Sequence, residues 1–426
     1  MDRRKILLMS GRPRWLLAGN PSLQLDWNTG NAWLNNRQYR GETAFKSLFS
    51  TFTTPACYVT DTAGVLKLMP ANSEHGIYGS DRGQLIEEAR TNLLTYSQAF
   101  DNAAWSATNA VVVADNAAAP DGTVTADKIT DNTTSGAHLL TSSSFSFVSG
   151  TTYTYSQMFK MNDQRYVQLG LPSSAFGLNA YANFDLQAGT VGTVGSSATA
   201  SIVALSGGYY RCVVIAPATS SSSNVSFFGF VTSSSGARGQ SYVGTGTSVW
   251  TWGAPLEAGA FATSYIPTTS AAVTRTKSTL SRTIEASYSA ASGSAYVEFI
   301  SANGSGTQRI WQIDTDVNNR ISLTRNASNQ IILDVVVGGA SQASVNLGTL
   351  ANATKGKVAI NWTAGACAGS LNGAAVVTGT PASIPTVTTE RFGSDAAAAN
   401  QLNGYYTRSG RYQQVLTSAQ LVSLTA

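Results

Sequence analysis

A chain of 426 residues is longer than the roughly 100–150 of a common domain, and its 43% apolar content supplies two or three cores. Charged residues are 12% of the chain and the formal net charge is +4, which excludes the low-hydrophobicity, high-charge composition of a disordered protein. No apolar run approaches the ~20 residues of a membrane span.

The first fifteen residues hold Arg3, Arg4, Lys5, Arg12 and Arg14 against one acid, Asp2. A basic arm of this kind (1–20) docks onto an acidic protein surface, nucleic acid or a membrane. The stretch ILLMS is too short for a secretory apolar region, so the chain is expected to fold in a reducing cytoplasm. Cys57, Cys212 and Cys367 fit that compartment, since they match no zinc spacing and give no disulfide framework.

LQLDWNTGNAWLNNRQY places Leu23, Leu25 and Trp27 on one face and turns at Asn28-Thr29-Gly30-Asn31, a hairpin. ETAFKSLFSTF spaces Ala44, Phe45, Leu48 and Phe49 for one short helix. ACYVTDTAGVLKLM is a second hairpin with its tip at Asp61-Thr62-Ala63-Gly64. Residues 21–90 therefore read as a small hairpin-rich unit, barely large enough for its own core.

From 91 to 270, short alternating strands such as TYTYSQMFKM, GYYRCVVIA and SVWTWGAPLEAG are separated by Ser, Thr, Gly and Asn turns, the pattern of a jelly roll. Trp250 and Trp252 alternate on one of these strands and are expected to face one core layer. Residues 271–284 carry no period and read as a linker. A second strand series, 285–426, includes QRIWQIDT and a tight turn at Asn372-Gly373, and ends in one helical turn. The fold class is all-β: two tandem β-sandwich (jelly-roll) domains preceded by a hairpin-rich N-terminal docking unit.

Several blocks in this order resemble modular structural proteins of tailed-bacteriophage virions: YVTDTAGVLK, LIEEARTNLLTYSQAFDNAAW, APDGTVTADKIT, GGYYRCVV and WGAPLEAGAFATSYIPTTSAAVTRT. The resemblance spans roughly residues 20–280 and rests on the set. The 285–426 region resembles concanavalin-like and laminin-G-like jelly rolls through VAINWTAGACAGSLNGAAV and LNGYYTRSGRYQQVLTSAQLVSL. Together these imply a virion protein, a tail, collar or head fibre made in the host bacterial cytoplasm. Its N-terminal arm would dock through Arg3, Arg4, Lys5, Arg12 and Arg14 to other virion proteins, and its central jelly roll would resemble carbohydrate-binding modules. Its partners would include host cell-surface glycan, and it would be a homo-oligomer, a trimer if it is a fibre. A capsid or neck decoration protein that binds no glycan is the alternative within the same class, and a virion enzyme that degrades polysaccharide is the alternative from another.

Chemistry is weighed residue by residue. Glu87 and Glu88 are adjacent and so cannot form a glycosidase dyad, whose carboxylates face each other across a cleft. With Arg90 they are expected to make interdomain or inter-subunit hydrogen bonds. Glu285, Glu298 and Glu390 are isolated, and the Glu-x-Asp-x-x-Glu string of laminarinase-like relatives does not occur. His75 and His138 form no metal pair or triad and read as turn or surface residues. No enzyme activity and no cofactor are expected. Asp314 and Asp316, with Asn318 and Asn319, are weak candidates for a calcium ion. Trp311, Trp362, Tyr405 and Tyr406 are the candidates for stacking on a sugar, each competing with a place in the core.

Overall fold

The structure is a computed structural model that describes residues 21–35, 37–61, 65–75, 83–301 and 306–426. The basic arm and the tip of the second hairpin at 62–64 lie outside them. The described chain is nearly all β and divides into two compact units, each a sandwich of antiparallel sheets.

One unit, here the terminal unit, takes its residues from both ends of the chain: those up to Pro55, Pro70–Glu88 and Lys277–Ala426. Its sheet I runs in the order Arg37–Arg40, Asn31–Leu34, Leu23–Asp26, Gly404–Tyr412, Ser292–Ser301, Lys355–Thr363, Ala366–Leu371 and Val377–Gly379, with Gln84–Ile86 also pairing Gly404–Tyr412. Sheet II runs Ala340–Thr349, Gln330–Val337, Asn319–Arg325, Gln308–Asp316, Thr389–Phe392, Thr279–Thr283 and Thr51–Thr53. Period-two alternation sends Leu23, Leu25, Val297, Ile313, Leu323, Leu333 and Ile360 into the core between the sheets. The Glu42–Lys46 helix is shorter than its pattern, yet Phe45 and Phe49 pack on Trp27 as their spacing requires, with ring centroids 5.1 and 5.4 Å away. Asn372 and Gly373 both have positive φ, 48° and 75°, the geometry an Asn-Gly turn provides. The Ser418–Thr425 helix, started by a Thr417–Gln420 capping box, lays Leu421 on Tyr296, Ala359, Ala368 and Tyr412 and so covers part of the outer face of sheet I.

The central unit comprises Ala56–Met69 and Ala89–Thr276. Its sheet III runs Ala110–Ala118, Val124–Asp131, Ser248–Trp252, Thr152–Met161, Tyr209–Pro217 and Thr199–Ala204, with Leu256–Ala258 beside Thr152–Met161. Sheet IV runs Thr190–Val194, Tyr181–Asp185, Tyr166–Gly170, Phe227–Phe230, Leu139–Thr141 and Ser106–Thr108. Their shared core holds Tyr155, Phe159, Val167, Leu169, Phe184, Val214, Phe228 and Val249. The hairpin of Cys57–Thr60 and Leu66–Met69 packs Tyr58 and Leu66 against Trp252, Met158, Tyr209 and Tyr265 on the outer face of sheet III, a second, smaller core.

Two boundaries differ from the sequence expectation. Residues 21–90 do not form a unit of their own: Leu23–Asp26 pairs Gly404–Tyr412 and Thr51–Thr53 pairs Thr279–Thr283, while the 57–69 hairpin belongs to the central unit. A block with so small a core buries its apolar face by joining larger sheets. The 271–284 stretch contains two strands, Val273–Arg275 and Thr279–Thr283, and the chain passes from one unit to the other between Thr276 and Lys277. All three cysteines are buried and unbridged.

Candidate binding faces

On sheet II, Trp311 and Ile313 point into the core, so Gln312 and Asp314 point outward. Following the register from Gln312 in both directions gives one continuous outward row, one residue from each of the seven strands: Thr51, Ser281, Arg391, Gln312, Ser322, Asp334 and Ser344. All seven are polar. Arg391 grips the carboxylate of Asp314 with two bonds, 2.7 and 3.1 Å, and Gln312 Nε2 donates to the same carboxylate at 2.7 Å. Arg309, brought to this face by a bulge before Trp311, donates to Ser322 Oγ and, at 2.6 Å, to Thr324 Oγ1. Ser344 Oγ donates to Asp334 at 2.8 Å. Burial and the neighbouring Arg320 charge hold the Arg309 guanidinium below its usual value.

Three buried polar atoms on this face have no partner among the described residues: Gln312 Oε1, Arg309 Nε and Arg320 Nε. Buried polar groups are seldom left unpaired, because each costs ~1–3 kcal/mol of desolvation without compensation. The side chains around them are held by one another and present both donors and acceptors. Gln312, Asp314 and Ser322 of this face are fully buried, and Arg391 and Ser344 are its more exposed members.

Sheet IV of the central unit has the matching feature in a closed form. Its outward amides, Gln168 and Asn183, lie side by side and hold the 231–240 loop. Gln168 Nε2 donates to Ala237 O at 3.0 Å and its Oε1 accepts from Gly239 N at 2.8 Å; Asn183 Nδ2 donates to Gly236 O at 2.7 Å. Arg238 caps the loop, lying over the Phe227 ring at 4.9 Å and donating to Ala180 O and Leu171 O. Gly192 permits this seat, because a Cβ there would stand 2.3 Å from Ser234 O.

The residues proposed from sequence are placed differently. Trp311, Trp362 and Tyr406 are at most 1% exposed and belong to the terminal unit's core, so none offers a face to a sugar; Tyr405 is half-buried. Asp314 is wholly buried and committed to Arg391 and Gln312, and Asp316 accepts from Asn318 N and Asn319 Nδ2 in a turn, so the two do not assemble a calcium site. Among the described residues no group of three His, Cys, Asp or Glu side chains is arranged to hold a metal.

Glu87 N donates to Ser278 Oγ and Glu88 Oε2 accepts from Asn403 Nδ2 at 3.0 Å, both inside the terminal unit. The crossover to the central unit falls directly after Glu88, and Arg90 there donates to Ala258 O and lies over Phe261. His75 and His138 are buried, not at the surface. Burial pushes the His75 imidazole down to about 3, and the ring nitrogens of His138 lie 2.7 and 3.2 Å from the carbonyl oxygens of Asn109 and Tyr242.

Glu285 and Glu390, far apart in sequence, meet Arg282 and Arg411 inside the terminal unit, where Trp311 Nε1 also donates to Glu390 at 3.0 Å. Burial pushes the Glu285 carboxyl up, but the Arg411 and Arg282 charges outweigh it and hold it below its usual value. A carboxylate so clamped is not poised as a general acid, which needs the opposite shift.

Sequence reasoning missed Arg309, Gln312 and Arg391. The signal was present in RIWQIDT, where the outward positions carry an amide and a carboxylate between inward Trp and Ile. It was read there as a calcium ligand next to an aromatic platform.

No protein-family model matches the chain, and no curated protein matches it in sequence. Solved structures are similar to part of it. The CBM40 of the Ruminococcus gnavus IT-sialidase bound to alpha2,3 sialyllactose matches at 12% identity and a TM-score of 0.30, over 32% of this chain and 84% of that one. The NanB sialidase from Streptococcus pneumoniae matches at 11% identity and a TM-score of 0.28, over 32% of this chain and 24% of that one. The heptameric SAP-like pentraxin from Limulus polyphemus matches at 14% and 0.26, over 32% and 70%. No helix of the described residues is long and apolar enough to cross a membrane.

Proposed function

We propose that this chain is a non-catalytic, saccharide-binding structural protein of a tailed-bacteriophage particle, and that the outward row of sheet II is its glycan site. The observation that carries the binding reading is the seven-residue polar row with Gln312 Oε1 and Arg309 Nε buried and unpartnered on it. Sugar hydroxyls both donate and accept, and this face offers guanidinium and amide donors beside carboxylate and amide acceptors. The virion assignment rests on the ordered sequence blocks from Tyr58 to Thr276, and the absence of chemistry on the Arg-clamped state of Glu285. Many copies on one particle would turn a weak site into firm adhesion.

The test is glycan-array screening of the full chain, followed by calorimetry with the best ligand. Gln312→Ala and Arg391→Ala are expected to weaken binding by about tenfold or more each, the value of a lost charge-assisted or buried hydrogen bond. No glycan bound, or binding indifferent to both changes, would remove the adhesin reading and leave a decoration protein. Immunogold microscopy of virions tests the particle assignment separately, with label at tail, collar or head expected.

A further inference from the structure

Among the described residues the outer face of sheet III is only half covered. The 57–69 hairpin buries Trp252 completely, yet Trp250, two residues away on the same face, is half-buried. Both tryptophans share a face, as their alternation implies, but it faces outward and not into the sandwich core.

The register places Trp250 between two lysines, Lys128 on the neighbouring strand to one side and Lys160 to the other. The row continues to Val113 beyond Lys128 and to Tyr209 beyond Lys160. Lys160 Nζ lies 5.4 Å from the Trp250 ring centroid and 5.8 Å from that of Tyr209. The indole nitrogen donates to Asn116 Oδ1 at 3.1 Å, which fixes the ring's orientation. Among the described residues neither Lys128 nor Lys160 is in an ion pair, whereas Lys46, Lys67 and Lys355 each meet a carboxylate.

Two strand spacings, about 10 Å of backbone, separate the lysines, a gap within the combined reach of two lysine side chains. Two like charges placed on either side of one ring repel each other until an anion arrives. A flat apolar face with a fixed edge accepts the C–H face of a pyranose.

We infer that this half of sheet III is a second binding site, one for an acidic saccharide whose sugar ring lies on Trp250 and whose carboxylate is held between Lys128 and Lys160. A single ring with two cations is too short for a nucleic-acid strand, which needs a charged groove and successive stacking platforms. This site is independent of the row on sheet II.

The experiment is calorimetric titration of the full chain with oligogalacturonate, a hyaluronan hexasaccharide and oligosialic acid. The methyl ester of oligogalacturonate is the matched neutral ligand, and a short oligothymidylate the competing polyanion. At least one acidic oligosaccharide is expected to bind about tenfold or more tighter than the ester, and more weakly as salt rises. Trp250→Ala is expected to lose about tenfold or more in affinity, with Trp250→Phe close to wild type. The pair Lys128→Gln with Lys160→Gln should abolish the preference for acid over ester.

Should Trp250→Ala fail to fold, the two surface lysine changes still decide the matter. Equal binding of acid and ester, indifference to the lysine changes, binding of none of the three acidic ligands, or tighter binding of oligothymidylate would each overturn the proposal.

Discussion

On sheet IV the outward amides of Gln168 and Asn183 use all their donors and acceptors on each other and on the 231–240 loop. On sheet II the outward amide of Gln312 uses its nitrogen on Asp314 and leaves its oxygen unpartnered. The two sandwiches thus build similar polar faces and finish them differently: the central unit covers its amides with a loop, and the terminal unit buries Gln312 among the side chains of Arg391, Asp314 and Arg309. A polar outward row by itself therefore does not mark a binding site, and the proposal for sheet II rests on buried atoms of that face that lack partners.

The strongest way to break the comparison is to remove the strands that complete sheets I and II. A fragment of residues 277–426 lacks Leu23–Asp26 and Thr51–Thr53 and is expected to show no cooperative melt, while residues 56–276 should melt in one transition. Scanning calorimetry of the two fragments checks this, and a sharp transition from 277–426 would show that the N-terminal strands are dispensable.

Next in size is Asp314→Ala. It leaves Arg391 without its bidentate partner and should destabilise the terminal unit by ~2–4 kcal/mol, below the fully buried limit because Arg391 is partly exposed. Urea denaturation measures it. Asn183→Ala should cost the central unit roughly 1–3 kcal/mol, since it strands loop carbonyls and the Gln168 amide, and should open the 231–240 loop to proteolysis. Gln312→Ala removes one partner of Asp314 together with an orphaned oxygen, so its expected stability effect is smaller, within about 1 kcal/mol.

The smallest effects concern pH, where the units are expected to move in opposite directions. His75, in the terminal unit, is held down to about 3 by burial. The unfolded chain takes up a proton below about 6.5 that the folded unit refuses, and stability is lost as pH falls. Asp127, in the central unit, is raised to about 6 chiefly by burial, against bonds from Asp115 N and Phe100 N. Its contribution is fully present below its ordinary value of 3.8 and lost as pH rises through 6. Calorimetry at pH 7 and pH 5 should show the terminal unit's transition falling and the central unit's rising. His75→Asn should flatten the first shift and Asp127→Asn the second.

Most strands were legible because alternation, Asn-Gly and similar turns are local signals. LQLDW, RIWQIDT and VAINW all became strands with the expected residues on one face. Local period says that Trp250 and Trp252 share a face, but not which face, nor that a hairpin covers one and stops short of the other. The same limit left Trp311, Trp362 and Tyr406 between sugar stacking and the favoured place in the core, and the opposing sheet buries all three. VTSSSGARGQ reads as a turn in any context, and its seat on Gln168 and Asn183 is a tertiary fact. The pairing of Leu23–Asp26 with Gly404–Tyr412 leaves no local trace at all.

That pairing also orders events during synthesis. Ser22 Oγ donates to Arg411 O across 389 residues of sequence, and Trp27 N to Thr407 O. Leu23–Asp26 therefore waits, without its neighbour, until Gly404–Tyr412 has left the ribosome. The central unit has all its residues long before that point and can fold while translation continues. A ribosome that stops before Tyr412 releases a chain with one finished sandwich and an unclosed remainder, so an intact sheet I certifies that synthesis has passed that strand.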